Sequence, residues 1–365
     1  MITCRVISFH YNVITHCCFL SAENTTMAKK ALLVAGTTGV LLTLGLTLQS
    51  ANADVVVGYQ TGADPTKVAI ANGDYEKAIG EKVVWKRFNS GPAILAALAS
   101  KSIDIAYVGS TPVASAISQG LPLSVFLVNT LNNTNEELVA RNSSGITSPQ
   151  SLVGKTIATT FVSTSHYSLL NALHHWGIAN SKVKLVNLDP ANIAAAWKRG
   201  DIDAAFTWDP ALSEIKQSGH VVTSAGQVGK WGAPTLDLWT TLQSYANTHP
   251  QVIKAFTAAT LQSFSNYYQH QNEWTAQSVQ IADIAKLTGA SANEIPQQLT
   301  AGHYPDLAEQ ASPTLLGGGV ARALKSTAEF LYQQKSIPQV KNDYSAYVTV
   351  SYLPKNTDST TTVEK

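Results

Sequence analysis

Apolar residues along this chain recur in two alternating signatures. Short runs apolar at every position, or at every second one, predict strands, and Ala/Leu-rich stretches between them predict helices. Val55 to Tyr59, Val83 to Phe88, Ile103 to Val108 and Leu123 to Val128 are runs of the first kind. Between them lie a helix from Thr66, an Ala/Leu helix opened by Asn89-Ser90-Gly91-Pro92, and a helix from Pro112 to Gln119. The order is βαβαβ, which calls for a mainly parallel sheet with helices on its faces. A second such set follows: strand Thr156 to Thr160, helix His166 to Trp176, strand Lys184 to Leu188, helix Asn192 to Lys198, strand Ile202 to Thr207. Leu236 to Thr240 is a further apolar strand. Beyond Pro250 the pattern is helical, over Gln251 to Gln269, Trp274 to Thr288 and Val320 to Gln333.

The two sets echo each other in detail. Ile103-Asp104-Ile105-Ala106-Tyr107-Val108-Gly109-Ser110-Thr111-Pro112 returns as Ile202-Asp203-Ala204-Ala205-Phe206-Thr207-Trp208-Asp209-Pro210, each copy preceded by an Ala/Leu-rich helix and closed by a proline. Two α/β lobes of one plan write such an echo, each sending a strand's carboxyl end into a shared crevice, where open α/β sheets bind ligands. The simplest assembly starts in lobe I (54–131), builds lobe II (132–233) and returns to complete lobe I (234–353). Two crossing segments then form a hinge, and a ligand lies between the lobes. Residues 354–365, rich in threonine and charge, read as a disordered tail.

The first 53 residues stand outside this plan. Met27-Ala28-Lys29-Lys30 begins a leader, Ala31 to Leu48 is uncharged and mostly apolar, and Ala51-Asn52-Ala53 fits a small-x-small cleavage site. The expected mature chain therefore starts at Asp54, in the periplasm. The alternative, a membrane anchor, would need about 18 or more apolar residues to span a bilayer. Residues 1–26 carry no such logic and fit an upstream start codon that is not used. Cys4, Cys17 and Cys18, the chain's three cysteines, all precede the cleavage site. A mature chain without cysteine has no disulfide, thiolate nucleophile or zinc-thiolate site. Arg5, Lys29, Lys30 and Glu23 leave with the leader, taking 25 basic and 24 acidic residues to 22 and 23. A net charge of −1 without a basic tract gives nucleic acid no electrostatic footprint.

Candidate chemistry is that of binding. No Gly-x-x-x-x-Gly-Lys run and no Gly-x-Ser-x-Gly elbow occurs. His174 and His175 are adjacent, so on a helix they point about 100° apart and cannot share one metal. Ser163-Thr164-Ser165 and Gly109-Ser110-Thr111-Pro112 each stand where a strand ends and a helix begins. Free N–H groups, hydroxyls and the helix dipole make such places anion sites, although Ser and Thr serve equally as ordinary caps. Trp208-Asp209 sets an indole beside a carboxylate, a pairing that receives ammonium groups, or else packs and caps a helix. Asp237, among Leu236, Leu238 and Trp239, is costly in a buried strand unless it is paired. The expected cleft thus holds hydroxyl-bearing helix starts at one end and carboxylates at the other.

Several stretches carry a family resemblance: Tyr59-Gln60-Thr61, Phe88-Asn89-Ser90-Gly91, Val108 to Pro112, Ser163 to Leu170, Ala194 to Asp203, Gln227 to Asp237 and Asn342 to Val348. Together they resemble, in order and over essentially the whole mature chain, the taurine-binding proteins of bacterial ABC importers. The resemblance implies a two-lobed periplasmic binding protein fold, type II-like, with no cofactor. It implies a monomer that delivers taurine to an inner-membrane permease driven by an ATPase. It assigns the sulfonate to Ser110, Thr111, Ser163 and Thr164 with Gln60 nearby, the ammonium to Asp237 and Glu136, and a wall to Trp208. Ser90, His166, Tyr167 and Asp209 fall in matched or adjoining stretches and complete the expected site. The chain departs from the family pattern at Asn132-Asn133-Thr134-Asn135 and at Asp209. A receptor for plain alkanesulfonates is the nearest alternative, and it needs no buried acids. An enzyme on the same scaffold is more remote: a desulfinase of this kind resembles cysteine-dependent catalysts, and the mature chain has no cysteine.

Overall fold

The computed structural model of this chain describes residues 54–355. The expected leader and cleavage site, the three cysteines and residues 356–365 lie outside the described residues. Ten strands form two five-stranded sheets. The first contains β1 (Val55–Tyr59), β2 (Val83–Arg87), β3 (Ile105–Gly109), β4 (Leu123–Leu131) and β10 (Leu236–Leu242), in the order β2-β1-β3-β10-β4. The second contains β5 (Glu136–Arg141), β6 (Thr156–Thr159), β7 (Lys184–Asn187), β8 (Ala204–Trp208) and β9 (Gly219–Ser224), in the order β7-β6-β8-β5-β9. The echoed strands β3 and β8 are the central strands of the two sheets. Each pairs in parallel on one side and with an antiparallel strand on the other: β3 with β10, β8 with β5.

Residues alternate across the pleat, so each strand feeds two cores. In the first sheet Ala106, Val108 and Leu238 face a layer containing Ile94, Leu98, Val113, Ile117 and Leu324. Ile105, Tyr107 and Trp239 face the opposite layer, with Tyr75, Phe126 and Phe256. The second sheet divides likewise: Leu138, Ile157 and Phe206 pack on Leu169 and Leu173, while Val139, Ala158 and Ala205 pack on Ile193, Trp197 and Leu212. Parallel strands covered on both faces read as unbroken apolar runs, which is why Ile103 to Val108 is so plain in the sequence.

Differences from expectation have physical causes. The helix expected from Trp274 begins at Val279, with Ser278 capping Ile281 N–H at 3.4 Å. Trp274 instead is buried among Tyr267 and Ile281, so its apolar character reports packing, not helix. Strands β5 and β9 carry no plain strand signal because Glu136, Glu137 and His220 interrupt their apolar pattern. The helices Ala211–Lys216 and Ala225–Lys230 are only six residues each, too short for a helical period to emerge. No helix among the described residues is long and apolar enough to cross a membrane.

The chain passes between the sheets twice, at 132–135 and at 231–235. The two passages are bonded together: Asn132 N–H donates to the Thr235 carbonyl at 3.1 Å and the Asn132 amide to Thr235 Oγ1 at 3.3 Å. The Asn-rich stretch that departs from the family pattern is therefore one strand of the crossing.

Candidate functional site

Each crossing delivers an acid. β5 begins directly after the first passage and β10 directly after the second. Both run antiparallel to the central strand beside them, so their first residues lie opposite the last residues of that strand. Glu136 thus pairs with Trp208, and Asp237 with Gly109. The carboxyl ends of parallel strands open onto the crevice, and the same connectivity repeated in two sheets brings both carboxylates there.

A cavity of about 50 Å³ lies at this point. Since about 10–15 Å³ already holds a water molecule, it suits a solute of a few heavy atoms. Gln60, Glu136, Ser163, Thr164, Trp208, Asp209 and Asp237 line it, with Tyr107, Thr130, Asn135, Gln298 and Tyr304 completing the wall. The lobes are closed over it. A Cβ placed on Gly109 would stand 2.8 Å from Thr164 Cγ2, across the cleft. Thr61 Oγ1 donates to the Asp209 carbonyl at 3.1 Å and Gln298 Nε2 to Ser213 Oγ at 3.1 Å, both from the first sheet's lobe to the second's.

Two helices point their N-termini at this contact, Ser110–Ser118 and Thr164–His175. Their first N–H groups have no carbonyl within the helix to bond, and their dipoles favour negative charge. Ser163 Oγ satisfies one, accepting from His166 N–H at 3.0 Å. Thr164 Oγ1 donates to Glu136 Oε1, so the expected two poles adjoin instead of standing at opposite ends. The Tyr107 hydroxyl donates to Asp237 Oδ2 at 3.1 Å. Glu136 Oε2 is buried and has no hydrogen-bond partner among the described residues.

Burial pushes the Glu136 carboxyl up to about 8, with repulsion from Asp237 adding to it. Burial likewise pushes Asp237 up to about 6, against the pull of the Tyr107 hydrogen bond. Lys67 offers limited relief, being fully buried and bonded to Asp64 at 2.6 Å, with its ammonium 5.0 Å from the Tyr107 ring centroid. Asp209 is raised by burial too; its Oδ1 accepts from Ser213 N–H at 2.9 Å and Ser213 Oγ at 2.6 Å. Two desolvated carboxylates sharing one small cavity are an incomplete electrostatic arrangement, which a buried cation would complete.

Five expected residues stand behind the wall instead of lining it. Ser90 caps its own helix, accepting from Ala93 N–H at 3.4 Å, and its neighbour Gly91 reaches the cavity. Ser110 Oγ accepts from Leu236 N–H at 3.2 Å and so ties the helix start to β10. The buried Thr111 hydroxyl has no partner among the described residues and is not at the cavity. His166 accepts from Val162 N–H through Nδ1 at 3.2 Å, stacks on Phe161 at 4.6 Å, and is pushed down to about 4 by burial. Tyr167 packs edge-on against Phe330 at 5.3 Å. Of the wall residues without a sequence signal of their own, Asn135 lies in the departing stretch, and Tyr107 lies inside the echoed strand β3, two residues before Gly109. Gln298 had no signal, since it sits in a polar stretch brought in only by the fold. No group of three or more His, Cys, Asp or Glu among the described residues could hold a metal.

Residues 58–274 match the family described as NMT1/THI5 like. The taurine-binding periplasmic protein of Escherichia coli (strain K12) is 40% identical over 334 residues, spanning 92% of this chain and 99% of that protein. Two solved structures share the fold. The alkanesulfonate-binding protein SsuA from Xanthomonas axonopodis pv. citri, bound to MOPS, superposes with a TM-score of 0.67 at 22% identity, over 79% of this chain and 95% of that one. The periplasmic aliphatic sulphonate binding protein SsuA from Escherichia coli does so with 0.66 at 24%, over 82% and 98%. The architecture is that of periplasmic binding proteins, two α/β lobes around a cleft, as the sequence predicts.

Proposed function

We propose that this chain, which belongs to the NMT1/THI5 like family, binds taurine or a closely related aminosulfonate in the cleft and presents it for import. The observation that carries the reading is the pair of carboxylates, buried Glu136 and partly buried Asp237, in one cavity beside two helix N-termini. An ammonium supplies the missing positive charge, and a sulfonate suits N–H groups at a helix start. With Thr164 Oγ1 engaged by Glu136, the sulfonate contacts fall to backbone N–H groups at those starts and to Gln60. The 40% identity with a taurine-binding protein supports the same ligand.

A ligand with a sulfonate alone would enclose two acids without a positive charge beside them and leave Glu136 Oε2 without a donor. Each buried polar group left unsatisfied costs about 1–3 kcal/mol, more when charged, and nothing in the cleft favours that alternative. The groups present orient and neutralise a small zwitterion; the neutral, stacked His166 and the capping Ser163 are not arranged as base and nucleophile. The chain is accordingly read as a receptor and not an enzyme. Its place would be the periplasm, after cleavage behind Ala53, as a monomer serving an inner-membrane permease and its ATPase.

Asp237→Asn tests the assignment. The variant is expected to weaken taurine by tenfold or more, on the order of the 1.5–3 kcal/mol of a charge-assisted hydrogen bond, and to spare ethanesulfonate. Equal losses for both ligands would make Asp237 a structural residue.

A further inference from the structure

Gln298 is placed between two spaces. On one side is the ligand cavity; on the other is a second crevice of about 340 Å³ between the lobes, and Gln298 and Asp209 line both. Gln298 is 7% exposed. The amide Nε2 donates to Ser213 Oγ at 3.1 Å, and Ser213 Oγ in turn donates to Asp209 Oδ1 at 2.6 Å. This chain of bonds fixes which way the amide points. The Ser213 proton is committed to Asp209, so Ser213 can only accept from Gln298, and the NH₂ group must face it. Gln298 Oε1 is then left over, buried and without a hydrogen-bond partner among the described residues. A buried acceptor without a donor at the wall of a binding cavity is a position that a ligand donor fills.

We infer that Gln298 is both latch and ligand contact: its amide N–H holds the lobes shut through Ser213 and Asp209, and its carbonyl oxygen accepts a hydrogen bond from the ligand's ammonium. The crevice beyond is then the side from which the ligand enters and leaves, and the Gln298–Ser213 bond must open for it to pass. The inference rests on the reading of an ammonium-bearing ligand, and it adds a third acceptor to the two carboxylates. An ammonium has three N–H donors, and Glu136, Asp237 and Gln298 supply one acceptor for each. A trimethylated ammonium has none, so the same arrangement selects primary amines.

Two variants separate the roles. Ser213→Ala removes the latch and leaves the acceptor, so taurine release, followed by stopped-flow displacement, is expected to quicken about fivefold, as for one neutral hydrogen bond. Gln298→Leu removes latch and acceptor together, and is expected to weaken taurine by about a further fivefold beyond Ser213→Ala. Gln298→Met stands in if the leucine variant fails to fold, as judged by its melting curve. Unchanged release from Ser213→Ala would overturn the latch. Equal affinities for Ser213→Ala and Gln298→Leu would overturn the contact. Failure of the unmutated protein to bind taurine would instead overturn the ligand reading, a different and separately visible result.

Discussion

Binding should expel a proton. At pH 7 a carboxyl with its midpoint at about 8, Glu136, is protonated in about nine molecules of ten, and one at about 6, Asp237, in about one of ten. The empty cleft therefore carries about one proton shared by the pair, which titrates as a unit. An ammonium beside them lowers both midpoints, because an opposite charge within about 4–6 Å favours the ionised form by 1–3 units. Both acids ionise in the complex, and close to one proton leaves for each ligand bound. Calorimetry at pH 7 in buffers of different ionisation enthalpy reads that number as the slope of apparent enthalpy against buffer enthalpy. The affinity should also rise about tenfold from pH 6 to 7 and level off above about pH 8. Glu136→Gln, with the dominant titrating group gone, should give a slope near zero. A zero slope in the unmutated protein would refute the reasoning: either the acids are ionised without ligand, or the ammonium does not lie between them.

The same acid governs the stability of the empty protein. Glu136 has a folded value of about 8, above its ordinary 4.5, so the folded chain holds that proton more tightly than the unfolded one. Its contribution is fully present below pH 4.5 and is lost as pH rises through about 8. The melting temperature of the empty protein should thus fall between pH 5 and 8, and taurine or Glu136→Gln should flatten the fall. Gly109→Ala tests closure. Gly109 has φ −64°, which alanine accepts, but the new Cβ would stand 2.8 Å from Thr164 Cγ2 across the cleft. Overpacking of that kind costs about 1–3 kcal/mol, so taurine should weaken by roughly 5- to 150-fold while the melting temperature of the empty protein holds. Adding Thr164→Ser, which removes the opposing methyl and keeps the hydroxyl, should restore binding.

What the sequence disclosed follows from where each signal resides. The two lobes were legible because buried parallel strands leave unbroken apolar runs, and because Ile103 to Pro112 and Ile202 to Pro210 repeat one plan. Asp237 stood out as a charge inside an apolar strand. Glu136 did not, since at the head of β5 it is followed by a second acid, Glu137, which is also buried and bonds Lys216 at 2.6 Å; only the family resemblance singles it out. The hydroxyls of Ser110, Ser163 and Thr164 each have a bond within the protein. All lie at helix starts, yet Ser110 binds Leu236 N–H, Ser163 caps its helix and Thr164 bonds Glu136. A sequence tells which groups stand at a helix start; packing decides which of them stay free. Gln298 marks the other limit, because its role depends on Ser213 and Asp209, more than eighty residues away in the chain and in the other lobe.

Everything turns on whether the cleft demands a cation together with a sulfonate. Calorimetric affinities of the mature protein for taurine and for ethanesulfonate, which differ only in the amine, put that demand directly to the test. Taurine should bind at least 100-fold more tightly, on the order of 3 kcal/mol for the buried acids an amine satisfies. Affinities within a factor of two of each other would contradict the account.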